Sequence, residues 1–305
     1  MQPRSAMILA GFLALVLSAF MSVNAARAAT GRIKVIVAGQ AREVLLIETE
    51  RLKRTPRTLI IVLGNVGSRA RLNAQFRRGI GLSPLVRGAG VIVAYPDAVS
   101  SKWNLGAGEP NDVEFVRALS NKLVADGAAD RRRIFLAGVS SGGFLALKIA
   151  CDNADYVAGI AVMIGAFPRD MVANCKVARP MNFMLMNGTA DPLLPWQGGK
   201  SELAFYKDNV ASAEETMKVF AQAAQCSGER TKTEAPDRDP NDGSRVVVEK
   251  FSGCKAMVEL VRVDGGGHTL PGRPARSDRG TAVGAQNNDV STPRVIWDFV
   301  RRAMK

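Results

Sequence analysis

Short apolar runs rich in β-branched residues alternate with amphipathic stretches along most of the chain. Lys34 to Val37 and Glu43 to Ile47 are two such runs, close enough to pair antiparallel. "TLIIVL" (Thr58 to Leu63) and "VIVAY" (Val91 to Tyr95) are apolar almost throughout, which requires burial on both faces. The first ends in "GNVG" and the second stops at Pro96-Asp97. Val113, Phe115, Val116, Leu119 and Leu123 recur at helical spacing and predict a helix over Asp112 to Val124. "IFLA" (Ile134 to Ala137) follows as a strand, then a helix from Gly143 to Cys151 and strands at Ile160 to Ile164 and Met181 to Met186. A helix from about Ser212 to Ala224, a strand at Val258 to Val263 and a closing helix from Thr292 to Met304 complete the reading. Buried strands alternating with helices define the α/β class, with a mainly parallel sheet covered by helices on both faces. Reactive groups in such folds gather in loops beyond the carboxyl ends of the strands.

The N-terminus breaks this pattern. Arg4 precedes an apolar run from Met7 to Phe20, interrupted only by Gly11 and Ser18, and Ala26-Arg27-Ala28 offers a small-x-small cleavage site. Residues 1–28 therefore read as a signal peptide, and export to the periplasm or medium is expected. The run is short for a membrane span, so no stable insertion is expected after cleavage. No sequence period recurs, and residues 29–305 read as a single domain.

Export changes the meaning of the cysteines. There are four, Cys151, Cys175, Cys226 and Cys254, and an even count in an exported chain reads as two disulfides. Four cysteines allow three pairings, of which the sequential one closes short loops. No C-x-x-C occurs and the chain holds one histidine, so no zinc motif is matched and neither metal nor cofactor is expected. The formal charge of +13 raises nucleic acid as a partner. The basic residues are scattered, however, and are not interleaved with aromatics, so specific nucleic-acid binding is not expected. A solvated basic surface, attracted to anionic polymers or envelope surfaces, accounts for the charge.

Three loops carry chemistry. In "IFLAGVSSGGFLAL" a buried strand runs into Gly138-Val139-Ser140-Ser141-Gly142 and straight on into a helix. This is the G-x-S-x-G nucleophile elbow in a strand–turn–helix setting, and only Ser140 fits its spacing. A serine hydroxyl needs a base to take its proton, and imidazole titrates in the right range. His268 is the sole candidate, in "DGGGHTLPG" beyond a late strand; the glycines there are expected to let the ring reach back over Ser140. A carboxylate must orient the imidazole. Asp191, after the strand "MNFMLM", lies between serine and histidine in the chain and is preferred to Asp264, whose nearness to His268 suits it to capping its own loop. Asn187-Gly188-Thr189 matches a glycosylation sequon, which beside this acid reads as fortuitous. Trp103 and Trp196 are placed in loops at the site rim, where a flat face meets an acyl chain, aromatic acid or sugar; packing beneath a loop is the alternative for each.

With "VIVAYPDA" and "NDVEFVRAL" ahead of them, "DRRRIFLAGVSSGG", "NGTADPLLPW" and "GGGHTLPG" resemble the secreted polyhydroxybutyrate depolymerase-like esterases, a family that includes feruloyl and acetylxylan esterases. Five segments agree in order, from about residue 50 to residue 304. The resemblance implies an α/β-hydrolase fold, Ser140 as nucleophile, His268 as base and Asp191 as acid. It also implies the pairing Cys151–Cys175 and Cys226–Cys254. The chain departs from the family after the first parallel strand, where "LHG" is usual and Leu63-Gly64-Asn65 stands instead. Backbone amides form the oxyanion hole there, so Ser141 with Asn65 or Val66 is expected to supply it.

A serine carboxylic ester hydrolase without cofactor is therefore expected. Its substrates would be small esters, polyester oligomers or plant cell-wall esters. The length leaves no room for a separate polymer-binding domain, which favours soluble substrates over crystalline granules. A serine peptidase is one alternative. An exported binding protein that keeps the fold without turnover is another, motivated by Gly64-Asn65.

Overall fold

Alternate residues of a strand buried on both faces feed two different layers, and the third strand shows this directly. Leu59, Ile61 and Leu63 enter one hydrophobic cluster, while Ile60 and Val62 enter another on the opposite side. The computed structural model describes residues 28–49, 56–64, 81–82, 90–99, 103–106, 108, 111–152, 155–272 and 280–304. Within them the strands are β1 (Ala28–Val37), β2 (Gln40–Thr49), β3 (Arg57–Leu63), β4 (Val91–Pro96), β5 (Ala129–Val139), β6 (Gly159–Met163), β7 (Asn182–Gly188), β8 (Gly199–Lys200), β9 (Asn209–Val210), β10 (Arg230–Glu234), β11 (Arg245–Phe251) and β12 (Val258–Asp264). The helices are α1 (Asp112–Ala125), α2 (Ser141–Asp152), α3 (Arg169–Asn174), α4 (Ala213–Ala223) and α5 (Thr292–Ala303).

Ten strands form one sheet in the order β1-β2-β4-β3-β5-β6-β7-β12-β11-β10. Its centre, from β4 to β12, is parallel, and antiparallel strands extend it on both sides. Phe115, Leu119, Leu145, Ile149, Met217 and Phe220 bring α1, α2 and α4 onto one face. Ile296, Phe299 and Val300 bring α5 onto the other. The fold is thus the expected α/β sandwich.

Because β5, β6, β7 and β12 are parallel neighbours, the loops leaving β5, β7 and β12 emerge on one edge. That topology, not sequence proximity, assembles the site.

The predicted elements recur, but β1 and β5 begin well before their apolar runs, at Ala28 and Ala129, and α2 begins at Ser141 because the turn passes directly into the helix. Among the described residues, four strands and one α-helix were not anticipated. β10 ("RTKTE") is polar and largely exposed, so no apolar stripe announces it. β11 has a Val-Val-Val run, but charged residues flank it. β8, β9 and α3 are too short for periodicity to register.

The sulfurs of Cys151 and Cys175 are bonded, tying the end of α2 to the residue that caps α3. Those of Cys226 and Cys254 join the segment after α4 to the one before β12. This is the sequential pairing. Elsewhere Arg42 and Asp112 form a buried ion pair at 2.6 Å, and the guanidinium lies 4.0 Å over the Phe115 ring. Asp112 also accepts the backbone N–H of Asn104 at 2.6 Å, so β2, α1 and the loop carrying Trp103 share one anchor. No described helix is long and apolar enough to cross a membrane. The leader reading concerns residues that lie outside the described ones up to residue 27; β1 begins at Ala28.

Candidate active site

Ser140 follows β5 with a positive φ of 51°, a conformation that costs a non-glycine residue about 1 kcal/mol or more. Surrounding contacts hold it there. Its N–H donates to the Met163 carbonyl at 2.9 Å, and its own carbonyl accepts the N–H groups of Gly143 and Phe144. The elbow has no room for side chains at its glycines. A Cβ on Gly138 would lie 2.7 Å from the Gly143 Cα, and one on Gly142 would meet the Leu63 backbone and lie 2.9 Å from the Gly64 oxygen. Ser140 thus stands at the N-terminus of α2, where the helix dipole favours negative charge.

The Ser140 Oγ lies 3.0 Å from His268 Nε2. His268 Nδ1 lies 2.7 Å from Asp191 Oδ2. A carboxylate can only accept, so Nδ1 carries the proton and donates, leaving Nε2 of the neutral ring to accept from the serine hydroxyl. The other Asp191 oxygen accepts the N–H groups of Leu193 and Leu194 at 2.8 and 2.9 Å, which locks the carboxylate. Both side chains are nearly solvent-free, at 6% exposure for His268 and 1% for Asp191. Residues separated by 128 and 77 positions are thereby brought into one hydrogen-bonded row.

The His268 ring reaches Ser140, and the glycines before it contribute through packing. They permit close packing, not pliability. A Cβ on Gly267 would lie 2.6 Å from the Gly284 Cα, and one on Gly266 would strike the Val263 side chain. Gly188, at the end of β7, abuts Gly266 and Gly267 so closely that a Cβ there would lie 2.8 Å from the Gly267 oxygen. Of the three glycines, only Gly265 uses a positive φ, of 75°. The loop is pinned: Ala190 donates to the Gly266 carbonyl, and Gly267 and His268 donate to Ala285 and Val283.

Asp264 is engaged elsewhere, with both carboxylate oxygens on the Arg262 guanidinium at 2.8 and 3.0 Å. Asn187 of the sequon is buried, and its amide exchanges hydrogen bonds with the Gly165 backbone. Trp103, expected at the rim, is 7% exposed, and its indole N–H donates to the Gly64 carbonyl at 2.7 Å. It braces the chain leaving β3. Trp196 is half-buried and borders a cavity of about 540 Å³ with Thr189, Asp191, Arg262 and Asp264; its described walls do not include Ser140 or His268. Ser141 is buried as the first residue of α2, while Asn65 and Val66 lie outside the described residues. No group of three or more His, Cys, Asp or Glu side chains suited to a metal ion occurs among the described residues. Sequence reasoning missed the Trp103–Gly64 brace and the backing of His268 by residues 283–287. Neither leaves a signal in the pattern of residues.

Comparison with known proteins agrees with this architecture. Residues 76–279 match the model of the alpha/beta hydrolase family. NocK of Nocardia uniformis subsp. tsuyamanensis, named as a candidate esterase, is 30% identical over 90% of this chain and 83% of its own length. Feruloyl esterase B of Piromyces equi is 28% identical over 64% of this chain, but only 37% of that protein is covered. Among solved structures, the acetyl xylan esterase of Aspergillus awamori superposes with a TM-score of 0.54 at 12% identity, covering 78% of this chain and 94% of that one. A thermostable esterase superposes with a TM-score of 0.57 at 12% identity, over 91% of this chain and 62% of its own. The chain belongs to the alpha/beta hydrolase family, within its esterases.

Proposed function

We propose that this protein is an exported serine esterase, a single hydrolase domain over residues 29–305 preceded by a signal peptide at 1–28. It cleaves carboxylic esters through Ser140, His268 and Asp191. The observation that carries the reading is the 3.0 Å approach of Ser140 Oγ to a His268 ring already held by Asp191. As Oγ attacks the acyl carbon, its proton passes to Nε2. The imidazolium that forms is stabilised by Asp191. Negative charge on the carbonyl oxygen meets the Ser141 amide, with the Asn65 or Val66 amide as second donor. Collapse of this intermediate expels the alcohol, which takes the proton from Nε2. Water, deprotonated by the same nitrogen, then releases the acid and restores the serine.

Feruloyl and acetylxylan esterases among the relatives and structural neighbours favour small aromatic or acetyl esters, with hydroxybutyrate oligomers as the third class. We assign neither tryptophan a stacking role: Trp103 is committed to Gly64, and the described walls of the cavity beside Trp196 include neither Ser140 nor His268. Two disulfides suit an oxidising compartment. A fluorophosphonate probe tests the mechanism. It is expected to label Ser140 in the wild type, and Ser140→Ala is expected to lose labelling and short-chain ester hydrolysis while its Tm stays nearly unchanged. A folded wild type that resists the probe would favour a binding protein. A panel of butyrate, hydroxybutyrate oligomer, ferulate and acetylated xylan then separates the substrate classes.

A further inference from the structure

Residues 283–287 grip the backbone on both sides of His268. The Val283 carbonyl accepts the His268 N–H at 2.6 Å, and the Ala285 carbonyl accepts the Gly267 N–H at 2.9 Å and the Thr269 hydroxyl at 2.8 Å. The Gln286 side-chain amide donates to the Leu270 carbonyl at 2.7 Å, and the Asn287 carbonyl accepts the Gly272 N–H at 2.8 Å. With Gly267 packed on Gly284, backbone lies against backbone, and a shift of one segment must move the other.

The far side of this segment is anchored in a buried polar cluster. Asn287 and Asp289 are 1% and 2% exposed. The Asn287 amide donates to the Ser244 hydroxyl at 2.9 Å and to Asp289 Oδ2 at 3.0 Å. Asp289 Oδ1 accepts the N–H groups of Arg238 and Asp239 at 2.7 and 3.3 Å. Asp242 accepts the Ser244 hydroxyl at 2.6 Å and the Asn288 N–H at 2.7 Å. All of these partners outside residues 287–289 sit in the turn between β10 and β11. Burial raises the affinity of the Asp289 carboxyl for a proton, but its hydrogen bonds and the Arg245 charge outweigh this and hold it below the usual carboxylate range.

We infer that Asn287 and Asp289 are positioning residues for His268, clamping residues 283–287 to the β10–β11 turn so that the imidazole is held from behind against Ser140. The inference rests on His268 being the base. An orphaned donor or acceptor inside this cluster is unfavourable, and a shift of the segment relieves it. The backbone of His268 hangs on that segment and moves with it.

Asp289→Asn tests this at constant volume. The new amide would set an N–H₂ group against either the Asn287 amide or the Arg238 and Asp239 N–H groups. The wild type and the variant are compared by kinetics on a nitrophenyl ester and by proton NMR. As the chain's one histidine, His268 gives an unambiguous low-field Nδ1–H resonance. The variant is expected to lower kcat about tenfold with KM nearly unchanged, and to broaden that resonance. Unchanged kcat and a sharp resonance in folded Asp289→Asn overturn the proposal. Should Asp289→Asn fail to fold, Ser244→Ala removes one contact of the cluster, and the same two readouts decide. Failure of the wild type to hydrolyse any ester counts against the esterase reading alone, because the NMR comparison needs no turnover.

Discussion

Asp191 and Asp264 are both near His268 in the chain or in space, yet only one touches it. Asp264 is spent on the Arg262 guanidinium, and Asp191 is locked by two backbone N–H groups with its second oxygen on the ring. Asp191→Asn is therefore expected to lower kcat about 10³- to 10⁴-fold, because an amide there favours the wrong imidazole tautomer. Asp264→Asn is expected to change kcat by no more than about twofold, since it touches neither His268 nor Ser140. Steady-state kinetics on one nitrophenyl ester checks both. Gly142→Ala gives a sharper structural test. Its Cβ would collide with the backbone of Leu63 and Gly64, so a loss of about 3 kcal/mol is expected by urea unfolding. The elbow serine was legible in the sequence because its spacing and its strand–turn–helix setting are both local. The choice of acid was legible only through chain order, and the packing role of the glycines beside His268 was not, because the atoms that exclude a Cβ come from segments far away.

The antiparallel extension β12-β11-β10 depends on charges as much as on apolar packing. Glu249, nearly buried in β11, lies 2.7 Å from Arg262 and 3.4 Å from Arg230, and Arg230 pairs with Glu214 of α4 at 2.7 Å. Glu249→Ala removes the carboxylate shared by Arg262, Arg230 and, at 3.8 Å, Lys232, and a destabilisation of about 3 kcal/mol is expected by chemical denaturation. A milder pH effect belongs to α4. The Arg169 guanidinium, then the Ser212 N–H and hydroxyl of the capping box, lower the Glu215 pKa from 4.5 to about 2. A depressed carboxyl stabilises the fold above its unfolded pKa, and this contribution is lost as pH falls from 4.5 through about 2. Glu215→Gln is expected to flatten that part of the stability–pH curve, read from urea midpoints at successive pH values. β10 escaped sequence analysis for the same reason that it needs an ion pair: it has little apolar surface to bury.

The two disulfides stitch the helical layer to its neighbours at α2–α3 and between α4 and β12. They close loops of 24 and 28 residues. Loss of either is expected to cost about 3 kcal/mol through greater freedom of the unfolded chain. Cys226→Ser/Cys254→Ser, compared with the wild type by thermal unfolding, checks this, and dithiothreitol should lower the wild-type Tm in the same direction. The site lies on the strand-end edge that the parallel centre of the sheet creates, so such destabilisation should reduce the folded fraction before it alters KM.

Periodicity determined the fold class, because burial on both faces of a strand demands continuous apolar runs, and those are visible one residue at a time. The serine and histidine were equally visible, one through a local motif and the other through its uniqueness in the chain. Chain order pointed to Asp191, and tertiary structure put that carboxylate on the imidazole; tertiary structure alone decided that Trp103 braces Gly64 and that residues 283–287 hydrogen-bond the backbone around His268. Each of these is a contact between segments distant along the chain, and a hydrogen bond between such segments constrains neither residue's neighbours in a way that composition or spacing records.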